Sequence, residues 1–322
     1  MKKFLFIPAI LFLSAVVMLA QGKVSSKVYF DYSYNSDNTP TNSFEIHRVY
    51  LTYANKLSKT VSFKVTSDVG RFNTGKDDRM SLYLKNALVA WKTDFGKFVI
   101  GLQGMNMFNV EEHNWGYRFV EKAPMDKNHF SSSADLGLGY YYTFAHSKFS
   151  VNALVTNGSG YKKSENDDYK KFSFQALYGD SKIAKGGYNI GASFSAESFD
   201  YTAATDTSTQ TKTVFGGFAA YSTRAFRIGA EYDFKNTGGS DITETIISAY
   251  ANYKFSKAAE VFGRFDVFDP NTNTDNDGYT YIIGGFNFMP TKGFSIAPNI
   301  KVQTPQVGNA YTSYFLNFEY KI

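Results

Sequence analysis

The sequence predicts an all-β fold, a transmembrane antiparallel up-and-down barrel of about 16 strands, from three observations. The first is composition: of 322 residues, 31 are Phe, 24 are Tyr and 26 are Gly, while only 7 are Pro. Aromatic side chains favour strands, and this aromatic content excludes an intrinsically disordered chain. The second is the alternation of apolar and polar residues with a period of two. The third is the alternation of long and short connections.

The period-two alternation gives each predicted strand one apolar and one polar face. Val28, Phe30 and Tyr32 share a face near the start of the chain, and Leu316 and Phe318 share one near its end. The predicted strands lie at 24–35, 43–55, 59–70, 80–93, 95–104, 134–145, 148–157, 170–179, 187–198, 212–222, 225–235, 244–255, 260–268, 279–289, 294–303 and 311–322. The second strand changes phase near residue 47, and the strands at 80–93 and 212–222 fit either facing.

The connections between these strands alternate in length over most of the chain. The longest is 105–133, and 157–169 and 199–211 are also long, whereas 55–59 and 145–147 are short. Long loops at one end and tight turns at the other are typical of a transmembrane barrel, and they disfavour a secreted sandwich or propeller. An even strand number lets the first and last strands pair, so that no backbone edge faces lipid.

Residues 1–20, MKKFLFIPAILFLSAVVMLA, predict a secretory signal peptide, which leaves 21–322 as the barrel domain. Lys2 and Lys3 form a basic start, an apolar stretch follows, and Ala20 is a small residue before the expected cleavage. A membrane anchor is disfavoured because the apolar run is short and contains Pro8. The leader predicts export.

Several functions are disfavoured by composition. The chain has no Cys and only 4 His, so thiolate catalysis, Fe–S clusters and Cys-type zinc sites are excluded. No Ser motif accompanies the histidines, so we predict no enzyme and no cofactor. His113 beside Glu111 and Glu112 suggests a metal site, but a solvated loop is the simpler interpretation. The net charge of +5 becomes +3 without Lys2 and Lys3, which is too weak to predict nucleic-acid binding.

Fragments of the first half resemble one family of barrels. They comprise Phe44 with Arg48, residues 63–68, KNALVAW at 85–91, GLQ at 101–103, DLGL at 135–138 and TNG at 156–158. In their order and spacing they resemble the phosphate-selective porins (the O/P porins) of Gram-negative outer membranes. The resemblance implies 16 strands, a third external loop folded into the pore, here residues 105–133, and often a homotrimer. The second half resembles only a generic barrel.

The charges do not predict phosphate selectivity. With the apolar faces toward lipid, the lumen holds seven basic and seven acidic residues: Arg48, Lys64, Lys171, Arg227, Arg264, Lys301, Lys321, Asp68, Asp135, Glu197, Glu231, Asp233, Asp266 and Glu319. A phosphate pore needs an excess of cations to replace the water of a multivalent anion. We therefore expect a pore of mixed charge, and these residues leave a preference for anions open.

The candidate pore-lining or constriction residues combine this lumen set with the long loop. They are Arg48, Lys64, Asp68, Glu111, Glu112, Trp115, Arg118, Arg227, Arg264 and Lys301. In the loop, Arg118 fits a charged gatekeeper with Trp115 packed against the wall. The alternative is that the aromatic residues only anchor the loop.

We therefore predict an outer-membrane porin through which small hydrophilic solutes and ions diffuse passively. Its expected partners are outer-membrane lipid, small solutes or anions, and two further copies in a homotrimer. The alternative is a barrel with a plugged lumen and a structural or partner-binding role.

Overall fold

The strands form one closed antiparallel barrel. The computed structural model describes residues 22–36, 41–71, 79–203 and 206–322, and the predicted signal peptide lies outside them. Sixteen strands each pair with their neighbours in sequence, and the first pairs with the last. The predicted fold class is confirmed.

The strands match the predicted ranges closely at most positions. They are β1 Lys23–Asn35, β2 Thr41–Lys56, β3 Val61–Arg71, β4 Met80–Thr93, β5 Gly96–Gly104, β6 Ala134–Thr143, β7 Phe149–Thr156, β8 Lys171–Gly179, β9 Gly187–Ala203, β10 Asp206–Ser222, β11 Phe226–Thr237, β12 Ile242–Lys254, β13 Ala259–Asp269, β14 Tyr279–Thr291, β15 Phe294–Pro305 and β16 Tyr311–Lys321.

Pairing between β1 and β16 closes the sheet. The paired register runs from Lys27 opposite Lys321 to Asn35 opposite Ser313. On the outer face of this seam the rings of Phe30 and Phe318 stack with centroids 4.6 Å apart. Because every strand has a partner on both sides, the barrel presents no free edge.

Bulges in β2 and β4 shift the facing of these two strands. Tyr29 pairs with Arg48 and the next residue of β1 pairs with Ile46, so His47 is the extra residue in β2. In the same way Lys85 is the extra residue in β4. A bulge moves the following side chains to the other face. This explains the phase change near His47 and the ambiguous facing of 80–93.

The ambiguous facing of 212–222 has a different cause. On β10, Val214 and Phe218 point inward and are buried, whereas Phe215 and Tyr221 lie on the outer face. Both faces are apolar because the inner one is covered by residues 105–133, as described below.

The predicted loop 199–211 was wrong. β9 and β10 continue through this region as a paired hairpin, with Ala203 opposite Asp206. The segment TSTQT at 207–211 has no apolar face, so the alternation that marks the other strands is missing there.

Two short helices, α1 (Asn109–Trp115) and α2 (Pro124–Lys127), lie between β5 and β6. No helix in the described ranges is both long enough and apolar enough to cross a membrane.

Candidate functional site: the lumen and its folded loop

Residues 105–133, which we call the pore loop, lie inside the barrel. Near the loop's start Asn106 donates to Asn152 on β7 over 2.7 Å, and further along Lys301 on β15 donates to the Val120 carbonyl over 2.7 Å. β7 and β15 are eight strands apart in a ring of sixteen, so they face each other across the lumen. A loop that contacts inward side chains on both has to cross the interior.

Apolar packing attaches the pore loop to one half of the wall. Trp115 is 1% exposed and packs edge-on against Tyr250 of β12 and Phe262 of β13. A second buried cluster joins loop and wall, and its members are Met107, Phe108, Ala123, Met125, Phe130, Val214 and Ile246. These contacts use inward wall residues that would face water in an empty lumen, so burying them favours the folded loop.

The end of α1 depends on a glycine. Gly116 has a φ of 76°, and its amide donates to the Glu112 carbonyl over 3.0 Å. Arg227 of β11 passes the same point and donates to the Trp115 carbonyl over 3.0 Å. A Cβ on Gly116 would lie 2.4 Å from an Arg227 nitrogen. The left-handed backbone therefore favours glycine, and any larger residue would also displace the Arg227 guanidinium.

Charged wall residues also bind the loop. Glu121 accepts hydrogen bonds from Lys301 over 3.2 Å and from the Tyr281 hydroxyl over 2.7 Å. Burial alone would raise the pKa of Glu121, but Lys301 and Arg264 outweigh it and hold that pKa far below its ordinary value. The ionised carboxylate is therefore part of the anchor.

Arg264 of β13 serves both the wall and the loop. It donates to the Lys122 carbonyl over 2.6 Å and to both carboxylate oxygens of Asp266 over 3.0 Å. Its guanidinium also lies 5.0 Å from the ring centroid of Trp115. The charge is completely buried, so its role is to fix the loop.

An acidic cluster lies where α1 meets β11. Glu111, Glu231 and Asp233 are each at most 5% exposed, and carboxylate oxygens of all three have no hydrogen-bond partner among the described residues. Burial raises the pKa of Glu111 well above its ordinary value, and the charge of Glu231 raises it further. Burial and this repulsion both favour the protonated form of Glu111.

On its other side the loop presents Arg118 to the open lumen. The Arg118 guanidinium pairs with Glu112 over 2.8 Å and with Asp126 over 3.2 Å. Burial opposes its charge, but these two carboxylates outweigh burial and raise the pKa of Arg118. The arginine stays charged and is held in position.

Opposite the loop, Arg48 and Asp68 form a pair on the wall. Arg48 lies 3.3 Å from Asp68 and donates to the Tyr83 hydroxyl over 2.8 Å, and Tyr83 donates to Asp68 over 3.2 Å. The Arg48 charge is therefore balanced by Asp68 on the wall itself.

The lumen that the loop leaves open is a cavity of about 1620 Å³ with positive walls. It is bordered mainly by β1 to β5 and by the α1 side of the pore loop. Ten positively charged side chains line it: Lys23, Lys27, Lys56, Lys64, Lys85, Lys97, Arg118, Lys182, Lys292 and Lys321. Glu112 is the one acidic side chain among the described residues that line it. Arg118 and Lys321 have carboxylate partners, whereas the other eight lysines have none in the described part of the chain.

The expected balance of charge was wrong for this open cavity. None of the seven acidic residues assigned to the lumen from the sequence lines it. Asp68, Glu197, Asp266 and Glu319 have basic partners. Asp135 accepts from the Gly158 amide over 2.6 Å, and Glu231 and Asp233 lie behind the loop. Alternation shows which face a residue is on, but it does not show which inward residues the loop covers.

The ten candidates from the sequence fall into three groups by position. Lys64, Glu112 and Arg118 line the open cavity, whereas Arg48 and Asp68 pair with each other on the wall and do not line it. The other five contact or lie against the buried side of the loop and are Glu111, Trp115, Arg227, Arg264 and Lys301.

Sequence analysis missed most of the lysines in the cavity. Lys27 and Lys97 were detectable, because they alternate with outward residues of β1 and β5. Lys85 sits in a bulge, and Lys182 and Lys292 are in turns, where alternation gives no signal.

Solved structures resemble this chain in fold. The trimer form of the outer-membrane protein OmpT of Vibrio cholerae superposes with a TM-score of 0.66 at 14% identity, covering 94% of this chain and 99% of that one. OmpF of Salmonella typhi gives 0.68 at 10% identity, with 94% and 98% covered. An anion-selective porin from Comamonas acidovorans gives 0.65 at 11% identity, with 94% and 100% covered. No family model and no curated protein matches the sequence. At these identities the likeness shows the fold.

Replacing Gly116 by alanine should loosen the pore loop. The substitution strains a left-handed residue and displaces Arg227, with an expected loss of about 1–3 kcal/mol. Thermal unfolding in detergent should show a lower midpoint for Gly116→Ala. Gly104→Ala is the matched control, since the nearest atom to its added Cβ is 3.9 Å away. Equal midpoints for the two variants would contradict the role of Gly116.

The acidic cluster should make stability fall as pH rises. Because the folded-state pKa of Glu111 is raised, its contribution is complete below the ordinary carboxyl pKa and is lost as pH rises toward the folded value. The groups facing it are Glu231 and Asp233, with Asp266 behind them. The unfolding midpoint should therefore drop by a few degrees on raising pH from mildly acidic to alkaline.

Glu111→Gln should flatten this pH dependence, because it removes one titrating group and its repulsion of the other two. Asp168→Asn, in an exposed loop, serves as the control and should keep the wild-type slope. An unchanged slope in Glu111→Gln would show that the cluster does not titrate as described.

Proposed function

We propose that this chain is an outer-membrane porin that conducts small hydrophilic solutes by passive diffusion and prefers anions. The observation that carries the proposal is the open cavity, with ten positive side chains and one acidic one. Fixed positive charge in a low-dielectric wall raises the local concentration of anions and lowers that of cations. We propose no enzymatic activity for this chain.

The outer surface supports a location in a lipid bilayer. Large apolar side chains are exposed there, such as Phe44, Trp91, Leu138 and Phe172, while the inner face is polar. An apolar belt around a closed barrel matches the hydrocarbon of a membrane. Residues 1–20 fit this proposal as the signal for export, and the trimer form of the Vibrio cholerae protein makes a homotrimer a reasonable expectation.

The resemblance to phosphate-selective porins enters the proposal only as a preference for anions. The anion-selective porin from Comamonas acidovorans shares this fold and supports the same class of solute. The pore loop leaves an open cavity lined by many lysines, which suits selection by charge and size.

Reversal potential in a salt gradient tests the proposal. In a planar bilayer, the pure protein should give conductance steps. Its reversal potential should have the sign expected when anions are more permeant than cations. The charged side chains that line the cavity sum to a formal charge of +9 (ten minus one). The double substitution Lys64→Glu with Lys97→Glu changes this sum to +5. We expect it to lower the anion-to-cation permeability ratio by a factor of about two or more.

Lys257→Glu is the matched control, because Lys257 is exposed in a turn at the same end of the barrel and does not line the cavity. It should leave the reversal potential unchanged. A protein that gives no steps would favour the plugged, structural barrel, and a wild-type preference for cations would refute the anion proposal.

A further inference from the structure

The turn between β8 and β9, residues 180–186, is the longest at its end of the barrel and folds toward the lumen. The other turns there are 57–60, 94–95, 144–148, 223–225, 255–258 and 292–293. Ile183 is completely buried although it lies in a turn. Lys182 lines the open cavity together with residues of β1 to β5, which lie across the barrel from β8 and β9.

Hydrogen bonds hold this turn beneath the pore loop. The Asn189 side chain donates to the Asp180 carbonyl over 2.8 Å and exchanges two hydrogen bonds with Asn114 of α1, over 2.8 and 2.9 Å. Gly186 has a φ of 108° and donates to the Ile183 carbonyl over 2.9 Å. The turn is therefore tied to the loop at one end and closed on itself at the other.

Lys182 meets two other lysines without a counter-charge. The charged groups that interact with Lys64 of β3 are Lys182 and Lys97 of β5, all positive. In the ranges that the structure describes, none of the three has a carboxylate partner. Burial lowers the pKa of His113 on the loop, and the Lys182 charge lowers it further, so this ring adds no positive charge at neutral pH. Three ammonium groups from three separate elements, none with a carboxylate partner in the described ranges, therefore line one cavity and act on one another electrostatically.

The surface around these lysines is partly apolar. Leu88 and Ala90 of β4 and Val99 of β5 line the same cavity, and Lys97 lies 4.2 Å from the ring centroid of Tyr141. A small inorganic anion uses none of this apolar surface. A molecule with several carboxylates on a short carbon skeleton can place its charges on the lysines and its carbons on the wall between them.

We propose that Lys64, Lys97 and Lys182 form a binding subsite for a small di- or tricarboxylate at the short-turn mouth of the pore. The inference rests on the proposed anion-preferring pore and names a substrate class for it. Lys182 is the specificity-determining residue, because the inward turn carries it to a position that no strand provides. Carboxylates would be concentrated at this mouth, either before or after they pass the pore loop.

Block of chloride current by citrate tests the subsite. Citrate added to the side of the short turns should reduce the wild-type current at concentrations where sulfate and phosphate reduce it less. Lys182→Gln should weaken the citrate block by about three- to tenfold, since one of three ammonium groups near a trivalent anion is lost. Its reversal potential should remain on the anion side, because nine positive side chains of the lining remain.

Lys185→Gln is the matched control, as Lys185 lies in the same turn, is exposed and does not line the cavity. Citrate should block the chloride current of this variant as strongly as it blocks that of the wild type. Equal citrate block in Lys182→Gln and wild type would overturn the subsite while leaving the anion preference intact. Stronger block by phosphate than by citrate would overturn the carboxylate assignment.

Citrate binding to the detergent-solubilised protein, measured by calorimetry, separates failure of the subsite from failure of the pore. If the protein gives no conductance steps but binds citrate more weakly after Lys182→Gln, the subsite is supported and the porin proposal is refuted. If the wild type neither binds citrate nor is blocked by it, the subsite is refuted whatever the reversal potential.

Discussion

In the membrane location that we propose, the rest of this structure depends on the requirement that every backbone amide in hydrocarbon finds a hydrogen-bond partner. A sheet meets that requirement only when it closes, and here β1 closes it by pairing with β16. Closure fixes an inside and an outside, and strand alternation then sends every second side chain to each. The apolar side chains on one face and the charged ones on the other are consequences of this geometry. Neither would have a defined place in an open sheet.

A barrel of sixteen strands encloses more space than its own side chains fill, so its interior needs a further element to set the passage. The pore loop fills one half by binding to the wall from β7 to β15, through Trp115 and the bonds of Lys301 and Arg264. The bound half hides wall acids such as Asp233 and Asp266 from the passage. The open half keeps its lysines. An interior that carries both charges thus acquires a passage dominated by one of them.

The sequence predicts those features of this molecule that follow from the alternation of apolar and polar residues along the strands. The strand ranges and closure follow from period-two patterns, and even the phase change near residue 47 marked a real bulge at His47. The hairpin of β9 and β10 was missed where Thr and Ser occupy both faces. The charge of the passage was missed for a deeper reason. Glu231 and Lys64 are equivalent in the pattern, and only the path of the pore loop makes one buried and the other accessible.

The same reasoning explains why a turn can matter as much as a strand for selectivity. Strand residues are confined to the wall, so their charges act on a solute across the width of the cavity. A turn that folds inward has no such limit, and the 180–186 turn brings Lys182 into the same electrostatic environment as Lys64 and Lys97. The Coulomb energy between two charges grows in magnitude as their distance falls, and dissolved salt largely screens it beyond about 8 Å at physiological ionic strength. In the anion-preferring porin that we propose, a charge carried into the passage therefore discriminates among anions more strongly than one left on the wall.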